Sequence, residues 1–171
     1  LDLPRYTYPE RAKTSVHLAR PLRPEDFVVR SPAEGKARVH VIGVIENQAP
    51  TRHLEMVLDS AGGELRLDAV NDLAKVALVE RHRGSGRVQM GFVSGFGFKE
   101  RCAFGSTVAH DSHHLILVGT DEASMAAAGN ELARVGGGQV VVRDGRVTAL
   151  VELPIAGLIS EERAEVVAEK A

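Results

Sequence analysis

A single cysteine, Cys102, occurs in the sequence, which excludes a disulfide bond within the chain and any metal cluster built from several cysteines. No apolar run approaches the roughly 18 residues that a membrane helix needs. Lys and Arg together number 21 against 23 for Asp and Glu, and neither sign forms a long block. We therefore expect no nucleic acid and no membrane as a partner. These absences predict a cytoplasmic protein whose partner is a small molecule or another protein.

Prolines are concentrated at the start of the chain, where the first 32 residues hold five of the seven. Because proline fixes φ and lacks a backbone N–H, this segment is not expected to form a long helix or a central strand. We predict that residues 1–32 form an extended arm leading from a preceding domain, and that residues 33–171 form one compact domain. The first residue, Leu1, supports the interpretation that the chain is a fragment.

The remaining segments predict an α+β domain with a largely antiparallel or mixed β-sheet of about six or seven strands and at least two packed helices. The first strand, within residues 37–46, has Val and Ile on both alternating faces, so we expect it to be covered on both sides. The run HLILVG at residues 114–119 predicts a buried central strand. Asp144 and Gly145 lie between two β-rich runs and predict a two-residue hairpin turn.

Two segments have the pattern of helices. Apolar side chains recur at helical spacing up to Val135, with Thr120 or Asp121 as the N-cap and glycines directly after the last turn. A terminal helix is predicted to begin after Ser160, a good N-cap. We consider a third helix at residues 100–109.

Candidate chemistry is concentrated in the stretch STVAHDSHH, residues 106–114. Only a helix would bring His110, His113 and His114 to one face, whereas the apolar run that follows indicates extended backbone. The nearby serines and Cys102 are weak support for a catalytic triad, because triad members converge from distant segments. The other histidines, which show no paired spacing, are His17, His40, His53 and His82. We predict no metal ligands within this chain.

Two further segments are explained more simply by local structure than by a catalytic or binding function. The glycine-rich GFVSGFGF at residues 91–98 lacks the G-x-G-x-x-G spacing of a dinucleotide loop. Its glycines indicate bulges or a close backbone approach at a strand end, which would also admit a flat ligand. The triplet ERH at residues 80–82 is interpreted as a solvated strand terminus.

Taken together, residues 79–121 resemble the C-terminal domain of bacterial and archaeal adenine deaminases, in the amidohydrolase superfamily. SVHLARPLRPEDF, VGGGQVVVRDGRV and LPIAGLIS extend this resemblance over nearly the whole chain. The most specific element is STVAHDSHH, where the family has the same V-A-H-D-S-H core followed by Asn. His114 takes that last place here, and Cys102 stands where the family commonly has Gly. Both departures leave room for a changed substrate.

The resemblance implies a longer enzyme that converts adenine and water to hypoxanthine and ammonia, or acts on a related aminopurine. A preceding (β/α)8 amidohydrolase domain would bind the divalent metal (Mn, Fe or Zn) that supplies the hydroxide. The H-x-H motif of that barrel is absent from this chain, so we expect the fragment alone to be inactive. We expect the domain to cover the barrel active site. The candidates for its rim or for substrate binding are Phe96, Gly97, Ser106, His110, Asp111, Ser112 and His113.

Two alternatives stay open at this point. The domain could be a docking or oligomerisation module, including a homo-oligomer contact, in which no residue touches substrate. It could also be a free-standing purine-binding domain. If the polar stretch only braces the fold, its mutation should lower stability without changing turnover.

Overall fold

The computed structural model describes residues 6–31, 34–67 and 72–171. The helices are α1 (Glu10–Lys13), α2 (Glu122–Val135) and α3 (Ala164–Lys170), with a 3-10 turn at Pro24–Phe27. The strands are β1 (Gly35–Gly43), β2 (Arg52–Ala61), β3 (Glu64–Leu65), β4 (Leu73–Val79), β5 (Val88–Ser94), β6 (Cys102–Ser106), β7 (Leu115–Gly119), β8 (Gly138–Arg143) and β9 (Arg146–Glu152).

These strands form one sheet in the order β3-β2-β1-β5-β4-β7-β6-β8-β9. Neighbouring strands are antiparallel except β1 and β5, which pair in parallel at Ile42 with Val93 and at Gly43 with Ser94. The predicted α+β class with a mixed sheet is confirmed. The described part of the chain has nine strands rather than six or seven.

Residues 102–106 form strand β6, so the helix considered at residues 100–109 is wrong. This segment pairs with β7 on one side and β8 on the other. Gly105, in its middle, lies where an added Cβ would be 2.9 Å from the Leu117 side chain and 3.1 Å from that of Leu132. The strand is therefore determined by packing from distant segments, which its own sequence does not reveal.

Helix α2 begins and ends as its sequence predicts. The Asp121 side chain accepts a hydrogen bond from the Ser124 N–H at 2.9 Å, which caps the first turn. Gly136 ends the helix with φ of 86°, a left-handed conformation that glycine adopts without strain. Met125 and Leu132 are fully buried on one side, so the helix packs on one face of the sheet.

Two other local predictions have different outcomes. Asp144 and Gly145 join β8 to β9 with positive φ at both residues, so the predicted two-residue hairpin is confirmed. Helix α3 begins only at Ala164, and the residue before it, Arg163, makes no side-chain cap. Ser160 accepts a hydrogen bond from the Glu162 N–H instead, so the prediction that it caps the helix is wrong.

The covered face of the sheet carries two groups of buried side chains. The first, the helix cluster, lies under α2 and joins it to the central strands; its largest members are Phe27, Leu115, Leu117, Met125 and Leu132. The second, the ribbon cluster, packs the β1–β3 ribbon against the adjoining ends of β4 and β5 and consists of Val39, Val41, Leu58, Leu65, Leu73 and Phe92. The same face of the sheet is therefore divided between two packing centres.

The opposite face, which we call the open face, is lined by Ile42, Val76, Leu78, Phe104, Ile116 and Val141. Ile42 is 46% exposed, and Leu78 and Val141 are each 38% exposed. Burial alternates along β1, whose outward residues are exposed. The prediction that this strand is covered on both sides is therefore wrong for the domain as described. The outward side chains of β1 are Lys36, Arg38, His40 and Ile42, so Ile42 is the one that this strand adds to the apolar part of the open face.

The proline-rich segment contacts the body of the domain where residues 6–31 are described. The Leu22 backbone exchanges two hydrogen bonds with the Asn130 side chain, at 2.8 and 2.9 Å. Phe27 is fully buried, and its carbonyl oxygen accepts a hydrogen bond from the Lys75 ammonium at 3.1 Å. Lys75 also forms an ion pair with Glu122 of α2. Residues 1–5 and 32 of the predicted arm, and residue 33 of the predicted domain, lie outside the described residues. Among the described residues, no helix is long and apolar enough to span a membrane.

Candidate functional site

The polar stretch noted in the sequence forms a turn at one end of the central strands. Residues 107–114, the histidine turn, connect the end of β6 to the start of β7. Leu115, the first residue of β7, pairs with Val79 at the end of β4. The histidine turn is therefore held between strand ends in the middle of the sheet rather than at a loose terminus.

A buried arginine fixes the histidine turn from beneath. Arg81, only 1% exposed, donates from Nε to the carbonyl oxygen of His113 at 2.6 Å. Its other nitrogens donate to the carbonyl oxygens of Ser15 at 2.9 Å and Ala156 at 3.1 Å, and to the Ser15 hydroxyl. Burial lowers the pKa of the Arg81 guanidinium. The interpretation of residues 80–82 as a solvated strand terminus is thus wrong for Arg81, which ties three separate segments together.

Two candidate side chains project from the tip of the histidine turn into solvent. The side chains of His110 and Asp111 are 88% and 93% exposed, and they form an ion pair when the imidazole is protonated. The rings of His110 and His113 meet edge to face, with centroids 5.8 Å apart. The tip therefore presents a carboxylate and an imidazole together, which are hydrogen-bonding groups suited to a polar ligand.

A second pair of histidines lies at the base of the histidine turn. The rings of His82 and His114 have centroids 4.8 Å apart, and His82 Nε2 lies 2.9 Å from the Ser112 carbonyl oxygen. That hydrogen bond requires a proton on Nε2. The Nδ1 atoms of His113 and His114 are buried, and the described residues provide neither with a hydrogen-bond partner. His82 was missed as a site residue, because nothing local in the sequence shows that β4 ends beside β7.

A cavity of about 270 Å³ lies where the base of the histidine turn meets the open face, and it is lined by Leu78, Glu80, Arg87, Val88, Gln89 and His114. The Glu80 carboxylate accepts hydrogen bonds from the N–H groups of Ser85, Arg83 and His82 and from the Ser85 hydroxyl. These donors, the Ser85 N–H first, lower the pKa of Glu80 to about 2. Glu80 is therefore a fixed anion that orders the loop carrying His82.

The other sequence candidates lie apart from the tip. Ser106 is buried, and its hydroxyl bonds to the N–H and carbonyl of Val108, so it shapes the start of the histidine turn. Ser112 is exposed, and its Oγ accepts weakly from the His114 N–H at 3.4 Å. Cys102 lies at the far end of β6 from Ser106, and burial raises the pKa of its thiol. This arrangement places Cys102 away from the histidines and gives no support to the triad considered above.

Phe96 and Gly97 lie at the opposite end of the central strands. They follow Ser94, which pairs with Leu73 at the start of β4, whereas the histidine turn lies beyond Val79 at its end. The two ends of β4 are six residues apart along the strand, which corresponds to about 20 Å. The Asp72 carboxylate holds the loop there by accepting from the N–H of Gly97 at 2.7 Å. The structure therefore does not bring the glycine-rich loop and the histidine turn together.

Metal-ligating side chains come together at one place among the described residues. One group of three has its donor atoms within 4.8 Å of one another, and it consists of His40, His53 and Glu55 on β1 and β2. The histidine turn provides no such group among the described residues. His40 and His53 come together across two strands, so their spacing along the chain gave no sign of this pairing.

With this geometry established, comparison with known proteins identifies the family. The sequence model of the adenine deaminase C-terminal domain family matches residues 48–171. The chain is 54% identical over 170 residues to adenine deaminase 3 of Rhizobium meliloti, covering 99% of this chain and 29% of the relative. It is 56% identical over 171 residues to adenine deaminase of Paracoccus denitrificans, covering 100% and 28%.

A third relative, adenine deaminase of Mesorhizobium japonicum, is 54% identical over 172 residues and is covered to 28% of its length. The chain belongs to the adenine deaminase C-terminal domain family, as the resemblance of its motifs predicted. It spans less than a third of the length of these relatives.

Proposed function

We propose that this chain is the C-terminal part of a longer adenine deaminase, in which the histidine turn completes the rim of the active site. The reaction would convert adenine and water to hypoxanthine and ammonia. The relatives carry this name, and more than two thirds of their length lies outside the segment that the chain matches. The single observation that supports the proposal is the exposed pair of His110 and Asp111 on a backbone fixed by buried Arg81.

The hydrolytic centre would belong to the preceding (β/α)8 amidohydrolase part. The histidine turn does not gather three ligand atoms among the described residues, so it does not fit as the holder of the divalent metal (Mn, Fe or Zn). The metal would supply an activated hydroxide at neutral pH. We expect the complete protein in the cytoplasm.

The tip of the histidine turn suits recognition of a purine edge. The exposed Asp111 carboxylate is an acceptor for an amine or a ring N–H, and the His110 imidazole can donate, accept or carry a proton. An imidazole beside a carboxylate can also accept the proton that the attacking water loses and return it to the leaving amine, which a deamination that releases ammonia requires. Because their backbone is anchored from below, these groups are presented with little loss of entropy on binding.

The open face supports docking of this domain on the preceding part of the same longer chain. Its exposed apolar side chains would be covered by a domain of the missing length, and the cavity that holds His114 also includes Leu78 of that face. Docking through the open face would therefore bring the base of the histidine turn to the boundary between the two parts. The docking role and the rim role are compatible in this arrangement.

Asp111→Asn in the full-length enzyme tests the proposal. The substitution keeps the size of the side chain and removes the charge, so we expect kcat/KM for adenine to fall about 100-fold, within the range of lost acid-base or positioning contacts. Asp59→Asn, an exposed carboxylate on β2, is the matched control and should leave turnover unchanged. Unchanged turnover in Asp111→Asn would reject a role at the rim.

Phe96→Ala tests whether the substrate contacts the glycine-rich loop or the histidine turn, which lie at opposite ends of the strands. A single purine cannot contact both Phe96 and Asp111 across a strand length of about 20 Å. We expect Phe96→Ala to keep near-normal kcat/KM. A large loss in Phe96→Ala together with normal Asp111→Asn would assign the glycine-rich loop, and not the histidine turn, to the substrate.

A further inference from the structure

A cross-strand group of two histidines and one glutamate lies on the outward side of β1 and β2. His40 pairs directly with Glu55 in the antiparallel register, and His53 pairs with Ile42, two residues further along β1. Side chains two apart on a strand point to the same face, so all three project from the same side of the ladder. They are exposed and lie on the open face beside Ile42, whereas the ribbon cluster lies on the covered face of the same strands.

The donor atoms are spaced for a small ion. His40 Nδ1 lies 2.8 Å from His53 Nε2 and 3.9 Å from Glu55 Oε1, and the three donors lie within 4.8 Å of one another. With metal–nitrogen bonds of about 2.0 Å, ligand atoms in a tetrahedral zinc site are about 3.3 Å apart. The observed distances fall on both sides of this value. Small side-chain rotations would therefore place an ion among the three donors without moving either strand.

The strands themselves hold the group in position. The β1–β2 ladder is continuous over nine residue pairs from Gly35 with Ser60 to Gly43 with Arg52. Arg38 lies 3.4 Å from Glu55 Oε2 and so occupies one carboxylate oxygen, while Oε1 is the oxygen nearer to His40. An outer partner that orients a ligating carboxylate in this way is a usual feature of metal sites. Ligands on paired strands are positioned more rigidly than ligands on a loop.

The donor set selects the kind of ion. Two imidazoles and one carboxylate favour zinc, nickel or cobalt, whereas calcium and magnesium prefer oxygen ligands alone. A shallow depression of about 460 Å³, lined by His40 and His53 together with Arg52, Met90 and Phe92, lies beside the group. Because three protein ligands leave a tetrahedral ion with one position unfilled, that position can take water or a small ligand in this depression.

We propose that His40, His53 and Glu55 form a surface binding site for one divalent transition-metal ion of the zinc type, separate from the metal of the proposed catalytic part. The ion links β1 to β2 through side chains. It stabilises the β1–β2 ladder by binding the folded chain, whose strands alone bring the three donors together. This site uses no residue of the histidine turn, and its three ligands lie at the β1–β2 end of the open face, beside Ile42 and strands away from Leu78 and Val141.

Zinc titration of the 171-residue chain by calorimetry tests the site, with circular dichroism to verify the fold of each variant. We expect one ion to bind, and we expect His53→Ala and Glu55→Gln each to weaken binding at least 10-fold. His17→Ala removes a single exposed histidine and should leave the affinity unchanged. Cobalt gives a second readout, because tetrahedral coordination produces visible absorption that His53→Ala should abolish.

The thermal midpoint provides an independent check of where the ion binds. Excess zinc should raise the midpoint of the wild-type chain and of His17→Ala but not that of His53→Ala, because an ion that binds only the folded state stabilises it. No binding up to millimolar zinc would overturn the proposal. So would equal binding in His53→Ala, or binding that disappears in His110→Ala instead, which would assign the ion to the histidine turn.

Discussion

Arg81 and His113 are joined by a hydrogen bond of 2.6 Å from the guanidinium Nε to the peptide carbonyl, in a place where Arg81 is almost fully buried. The acceptors of the guanidinium are three carbonyl oxygens and one hydroxyl. A charge is thus stabilised in the interior by peptide dipoles, and its function here is to fix backbone. Arg81 thus fixes the end of the histidine turn, and buried Thr107 fixes its start through hydrogen bonds with Gly138 and Gly157.

Arg81→Lys should destabilise the domain strongly. An ammonium cannot reach the carbonyl oxygens of Ser15, His113 and Ala156 together, so at least one buried acceptor would lose its partner. We expect the free energy of unfolding to fall by about 3 kcal/mol. Urea unfolding measures the change, and Arg83→Lys, exposed on the neighbouring loop, is the control. Equal stability of both variants would show that the turn is held by other contacts.

Glu80→Gln should remove a pH-dependent part of the stability. The pKa of Glu80 is about 2 in the folded state against an ordinary value of 4.5, so the ionised form stabilises the fold. Its contribution is complete above about pH 5 and is lost as the pH falls towards 2. The difference in unfolding free energy between wild type and Glu80→Gln should therefore shrink over that range.

Urea unfolding at pH 6, 4 and 2.5 gives this difference directly. Glu169→Gln, an exposed carboxylate on α3, controls for the loss of one negative charge. A wild-type to Glu80→Gln difference that stays constant down to pH 2.5 would contradict the hydrogen-bonded loop as the source of the lowered pKa.

Leu78→Glu tests the docking surface. Leu78 is 38% exposed, so the substitution should change the stability of the isolated domain by less than about 1 kcal/mol. In the full-length protein it would place a charge in the proposed interface, and we expect calorimetry to resolve separate unfolding of the two parts. Val166→Glu on α3, where the residue is 39% exposed, should leave a single transition.

Sizing experiments distinguish the occupant of the open face. A single transition in Leu78→Glu, combined with dissociation of a dimer into monomers, would assign the face to a second copy of the chain. A single transition with no change in size would leave the face without a docking role.

Local signals in the sequence were sufficient for helix α2 and for the β8–β9 hairpin. Asp121, Gly136, Asp144 and Gly145 act through their own backbone conformation and short-range hydrogen bonds, which is why they can be recognised one segment at a time. The buried central strand β7 was likewise evident from its uninterrupted apolar run. It lies between β4 and β6 with four of its five residues buried.

Relations between distant segments could not be obtained in the same way. Arginine is a residue type that is usually exposed, and the burial of Arg81 depends on three carbonyl groups contributed by Ser15, His113 and Ala156. Strand direction decides which loops lie at the same end of the sheet. The separation of Phe96 from the histidine turn therefore follows from the pairing of β4 with β5 and β7, which no single segment encodes. The contact between His40 and His53 has the same origin in strand register.

The seam between β1 and β5 is only two residue pairs long, and the ribbon cluster packs across it, with Val39 and Val41 of β1 on one side and Leu73 of β4 and Phe92 of β5 on the other. Side-chain packing therefore joins the ribbon to the rest of the sheet where backbone pairing is short. Evolution can remodel the outward surface of the β1–β3 ribbon, histidine pair included, without altering this packing on the other face or the anchoring of residues 107–114.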